Sequence, residues 1–173
     1  MKLKTHYLFS TGLLTLVNTM AIHNVYVSVV LAGLVSVLGN TLIDRLGHEM
    51  VWAGSEYIPR RTPLTHTVPR SVLWGIISAV PVIALVYYVY PHYYFIKDSV
   101  LLLVDGILVG PSHMLLDVFT EKGIYVKRNG RWVRFALAHF RYNDPAVNGL
   151  ASFAGLALLV LSVMFEYHLI SPI

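Results

Sequence analysis

Apolar runs about as long as a bilayer is thick constrain this chain more than any other feature. Five stand out, at residues 7–22, 25–44, 71–90, 99–119 and 148–170. Four of them reach the roughly 20 residues that a transmembrane helix needs, and the first is shorter. Only 13% of the 173 residues are charged and the mean hydropathy is +0.64, whereas a soluble domain carries about 25% charged residues. The expected fold is therefore all-α, a polytopic membrane bundle of about five transmembrane helices. It forms a single integral membrane domain over residues 1–173, with loops at 45–70 and 120–147. Lys2, Lys4 and the first run have the outline of a signal peptide, but Asn18 and Thr19 before Ala21 make a poor cleavage site. A tight hairpin between the first two runs is expected instead.

Sorting the 13 basic residues by the side each run implies gives a lopsided result. Lys2, Lys4, Arg45, Arg60, Arg61, Arg70, Lys122, Lys127, Arg128, Arg131, Arg134 and Arg141 fall on one side, and Lys97 alone on the other. Positive charge is retained inside, so the N-terminus is expected in the cytoplasm and the C-terminus outside. Tyr87, Tyr88, Tyr90, Tyr93, Tyr94 and Phe95 on the outer side suit an aromatic belt at headgroup level. Pro81 and Gly110-Pro111 predict kinks, and the Gly106/Gly110 spacing predicts close helix packing. Asn129-Gly130, between Tyr125-Val126 and Trp132-Val133, predicts a cytoplasmic β-hairpin.

With this topology His6, His48, His66, His113 and His139 gather on the cytoplasmic side, and His23, His92 and His168 on the outer side. Asp44 and His48 are spaced i,i+4 at one helix end, as are His113 and Asp117 at another, so each pair shares a face. There is no cysteine, so a metal must be held by His, Asp, Glu or backbone oxygen. Two such pairs, completed by His6 and His66, supply the imidazole and carboxylate ligands that a divalent metal takes. Zinc is the first expectation, with manganese or iron as alternatives. Three protein ligands and an open position acidify a water, which points to hydrolysis. The competing reading is that these residues are wet polar caps at helix ends. His139, Asp144, Asn40 and Glu49 are additional candidate ligands, and Asp144 also suits a turn before Pro145.

Asp105 lies in mid-span, where an unpaired carboxylate is costly. It is either a buried donor to Asn18, Ser36 or Ser78, or part of a proton or ion pathway. The segment 122–141 interleaves basic residues with Tyr125, Trp132, Phe135 and Phe140. Lys127, Arg128, Arg131 and Arg134 are candidates for binding an anionic headgroup. The spacing contains no nucleic-acid-binding module.

The Thr5-His6 start, the Asp44 helix end, Arg61-Thr62-Pro63-Leu64-Thr65-His66-Thr67 and the run from Ser112-His113 to Asp117-Val118-Phe119-Thr120 resemble the membrane-bound metal-dependent hydrolase family. That family is also described as LexA-binding, inner-membrane-associated hydrolases. The resemblance covers residues 1 to about 125 in the same order. It implies a helical membrane protein with a metal site at those His and Asp positions. His113-x-x-x-Asp117 is also similar to an element of zinc-dependent phospholipases C. Family members often carry Pro-Asp-x-Asp-His at the second helix end, whereas Asn40-Thr41-Leu42-Ile43-Asp44-Arg45 keeps only the second aspartate. Leu42 cannot bind metal, which leaves Asn40 or His48 to take over. Gly39-Asn40 and Gly47-His48-Glu49 suggest an archaeal-type branch. The expected function is hydrolysis of a phosphoester in a lipid or lipid-linked substrate at the cytoplasmic face, with membrane lipids as surroundings. The alternatives are a membrane scaffold that recruits a protein partner and a small transporter that uses Asp105.

Overall fold

The computed structural model describes residues 1–89 and 95–169. Among them are helices α1 (Leu3–Ile22), α2 (Val25–Leu46), α3 (Val68–Val89), α4 (Phe95–Asp117) and α5 (Pro145–Glu166). Two antiparallel hairpins join them, β1 (His48–Ala53) with β2 (Glu56–Arg61), and β3 (Ile124–Arg128) with β4 (Arg131–Phe135). Four helices are long and apolar enough to cross a membrane: α2, α3, α4 from Lys97, and α5. Tyr90, Tyr93 and Tyr94 of the expected aromatic belt, and His92, lie outside the described residues.

The remaining helix, α1, packs against α2, α4 and α5. It starts at Leu3, ahead of the first apolar run, and buries Thr5, His6, Ser10, Thr15, Asn18 and Thr19. These polar side chains face other helices rather than surroundings. Along the antiparallel α1/α4 contact they meet a matching series, His6 opposite Asp117, Ser10 bonded to Ser112 at 2.7 Å, and Asn18 bonded to Asp105 at 2.9 Å. Asn148 of α5 anchors the lower end of α1 by accepting from Thr5 Oγ1 at 2.8 Å and from the Lys2 N–H at 3.0 Å.

Close approach depends on glycine at two crossings. A Cβ on Gly110 of α4 would run into the Ser71 carbonyl of α3, and one on Gly12 of α1 into the Gly155 carbonyl of α5. The Gly106/Gly110 spacing thus packs α4 on α3 within the chain. Pro81 and Pro111 lie inside helices that continue through them. The α1–α2 turn is tight: His23 closes α1 in the left-handed region at φ 49°, and the Asn24 side chain accepts from the Val27 N–H.

The Asn129-Gly130 turn has φ of 48° and 78°, as a two-residue type I′ connection requires. The β1–β2 hairpin corrects the expectation of a plain loop over 45–70. Its turn uses Gly54 at φ 73°, and its register pairs His48 with Arg61. The second hairpin braces the segment between β2 and α3. The Tyr125 N–H donates to the His66 carbonyl at 2.7 Å, and Tyr125 Oη donates to the Arg61 carbonyl at 3.0 Å.

Candidate metal centre

The two i,i+4 pairs meet at the end of the bundle that carries both hairpins, with α1, α2, α4, the β1 start and the segment before α3 each contributing a side chain. His6, His113 and Asp117 form one group, and Asp44, His48 and His66 another, each with ligand atoms within 4.8 Å of one another. The groups interlock. His66 Nε2 lies 3.7 Å from Asp117 Oδ2 and 3.9 Å from Asp44 Oδ1, while His113 Nε2 lies 3.2 Å and 3.9 Å from the same two atoms. His6 stacks on His113 at 3.8 Å between ring centroids and places Nε2 3.3 Å from Asp117 Oδ1.

Hydrogen bonds from behind decide which imidazole nitrogen faces the centre. Asn40 Nδ2 donates to the Ser36 carbonyl at 2.8 Å, which leaves Asn40 Oδ1 to accept from His113 Nδ1 at 2.8 Å. Thr65 Oγ1 donates to the Ile43 carbonyl at 2.7 Å and so accepts from His66 Nδ1 at 2.9 Å. Both rings therefore carry their proton on Nδ1 and turn the Nε2 lone pair inward. Burial, and secondarily the Arg61 guanidinium, push the His66 pKa down to about 2, so this ring stays neutral. Gly47 keeps the ring in place, because a Cβ there would overlap the His66 imidazole and the Thr65 hydroxyl.

Three of the inward atoms, His66 Nε2, His113 Nε2 and Asp117 Oδ2, are buried and without a hydrogen-bond partner. Lone pairs held against lone pairs at 3.2 to 3.9 Å are stabilised by a cation between them. Ligands about 2.0–2.1 Å from a tetrahedral zinc sit about 3.3 Å apart, so these separations fit a divalent metal with modest tightening. The other oxygen, Asp117 Oδ1, is engaged by Arg61 Nη2 at 2.7 Å and by the Met1 nitrogen at 2.7 Å. Arg61 also donates to the Gly123 carbonyl at 2.8 Å, tying the hairpin start to the site.

The additional candidates fall elsewhere. Asn40 orients His113 instead of replacing the missing aspartate at Leu42. Glu49 is exposed opposite Arg60, on the strand face that alternates away from His48. His139 is exposed. Asp144 caps α5, accepting from the Ala146 and Val147 N–H groups. Lys127, Arg128, Arg131 and Arg134 are exposed on the β3–β4 hairpin, away from the cluster. Trp132 there lies under Arg70 at 4.9 Å and Lys127 at 6.0 Å.

A cavity of about 700 Å³ opens over the cluster, lined by Asp44, His48 and Arg61 on the site side and by Lys2, Leu3, Ile58, Pro59, Lys122 and Tyr142 around them. Sequence reasoning did not single out Arg61, Lys2, Lys122 or Tyr142 as site residues. The available signal was the place of Arg61 at the head of the Arg-Thr-x-x-Thr-His-Thr element.

Fold and site together define a helical bundle, apolar enough in four helices to cross a membrane, with a buried His/Asp cluster at one end. Residues 1–116 match the family described as "Protein of unknown function (DUF1286)", and the chain belongs to that family. The match takes in five of the six clustered residues and stops one residue short of Asp117. No curated protein and no solved structure matches the chain.

Proposed function

We propose that this chain is a polytopic membrane protein and a metal-dependent hydrolase of the family it resembles, cleaving a phosphoester in a lipid or lipid-linked substrate at the cytoplasmic face. The observation that carries the reading is the convergence of three orphaned ligand atoms, from His66, His113 and Asp117, beneath a cavity with a basic rim. His6, Asp44, His48, His66, His113 and Asp117 would hold the metal. When bound, it supplies Lewis acidity that polarises a phosphoryl oxygen and activates water.

The chain's own groups do the rest. Asn40 and Thr65 fix two imidazole orientations before any ligand arrives, and Arg61 holds Asp117 Oδ1 so that Oδ2 faces the centre. Lys2 and Lys122 at the rim attract an anionic headgroup. Leu3, Ile58 and Pro59 offer an apolar wall to the lipid part. The basic excess at this end supports a cytoplasmic placement.

Metal content of the purified, metal-repleted protein tests the reading, alongside hydrolysis of phosphorylated lipids. Stoichiometric zinc, manganese or iron that disappears in His113→Ala, with parallel loss of phosphate release, is expected. A wild type that holds no metal and releases no phosphate would reject it. Labelling a cysteine placed at 129 only from inside, and one at Tyr26 only from outside, checks the topology.

A further inference from the structure

A second group of orphaned polar atoms lies about 18 Å along α4 from Asp117, taking 1.5 Å per residue over the 12 residues to Asp105. Asp105 is fully buried. One carboxylate oxygen accepts from Asn18 Nδ2 at 2.9 Å, and the other, Oδ1, has no partner. Asn18 Oδ1 and the hydroxyls of Thr15, Thr19 and Ser28 are also buried and unpartnered. Thr15, Asn18 and Thr19 share one face of α1 by their i, i+3, i+4 spacing. The two-residue turn at His23 and Asn24 sets Ser28 of α2 level with Thr19, four residues to either side. Ser and Thr in helix interiors ordinarily donate to a carbonyl of the preceding turn, as Ser162 and Ser112 do here. These three hydroxyls do not.

Buried carboxylates are paired or bind cations, and among the described residues no basic side chain makes an ion pair with Asp105. The free atoms are all oxygens, the donors of hard cations and not of transition metals. A single carboxylate balances one positive charge. We propose that Asp105, Asn18, Thr15, Thr19 and Ser28 form a binding site for a dehydrated alkali-metal cation inside the bundle, distinct from the His/Asp centre. The cation neutralises Asp105 and ties α4 to the α1–α2 hairpin. This site does not rest on the hydrolase reading.

The test is the thermal midpoint of the detergent-purified full chain in EDTA, with sodium, potassium or lithium chloride compared against choline chloride at equal ionic strength. One alkali ion should raise the midpoint by about 5 °C or more at saturation, and which ion does so identifies the occupant. Asp105→Asn should abolish the response. Thr15→Val combined with Thr19→Val, which removes two unpartnered hydroxyls at nearly constant shape, should leave the choline midpoint equal or higher while weakening cation affinity at least tenfold. A wild-type midpoint that is the same in all four salts overturns the site, as does a response that survives in Asp105→Asn. Should Asp105→Asn not fold, unchanged cation affinity in the double threonine variant overturns it equally.

Discussion

Asp117 and Asp105 are carboxylates of the same helix, both fully buried, yet their surroundings differ in every respect that matters chemically. Asp117 is met by Arg61, the Met1 nitrogen and three imidazoles, drawn from elements across the chain, and a cavity opens beside this cluster. Asp105 is met by one amide from α1 and is surrounded by hydroxyls. The contrast shows that burial alone does not define a site. Nitrogen donors with fixed tautomers suit a divalent metal, and neutral oxygens around a single charge suit a monovalent ion.

The contrast can be broken or sharpened by substitution. The largest effect is expected from Asp117→Ala, which strands the buried Arg61 guanidinium as well as removing a ligand. Breaking a buried ion pair in this way costs about 3–5 kcal/mol, so the metal-free protein should lose that much stability in denaturant titration, and metal binding should vanish. Next comes acid. The His66 pKa is about 2 folded against 6.5 unfolded, so between those values the unfolded chain binds the extra proton. Its contribution is complete above pH 6.5 and falls by up to about 1.4 kcal/mol per unit as pH drops below it. The metal-free wild type should therefore be markedly less stable at pH 4.5 than at pH 7, with a shallower decline in His66→Gln.

Smaller still is Asn40→Ala, which frees the His113 ring without touching a ligand. Loss of such an orienting bond lowers metal affinity about 10–100-fold, readable by competition with a chelating dye, while the response to alkali cations should stay the same. The smallest effect belongs to Ser10→Ala, which removes one hydrogen bond between the two regions. A cost of about 1 kcal/mol is expected, with metal content unchanged. A large drop in metal content there would mean that the two regions are not independent.

Hydropathy located α2, α3, α4 and α5 because their outward faces are apolar. It misjudged the start of α1, where Thr5, His6 and Ser10 are buried against other helices, a fact that composition does not carry. The Asn129-Gly130 hairpin was legible from its turn. The β1–β2 hairpin was not, since Glu49, Arg60 and Arg61 made its strands read as a charged loop, although Gly54-Ser55 between Trp52 and Tyr57 was a usable sign. Local i,i+4 spacing exposed four of the six clustered residues. The role of Asn40 needed His113, 73 residues away, and Arg61 was hidden because every basic residue had already been explained by topology.

The buried polar face of α1 bears on how the chain is assembled in time. A helix that presents Ser10, Thr15, Asn18 and Thr19 to lipid is a poor free-standing span, and its partners, Ser112 and Asp105 on α4 and Gly155 on α5, are synthesised much later. α1 must therefore wait at the interface or pair provisionally with α2 until the rest of the bundle arrives. The His/Asp centre, which needs His6 from this first helix and His113 and Asp117 from the fourth, can form only at that last step, so metal loading reports completed folding.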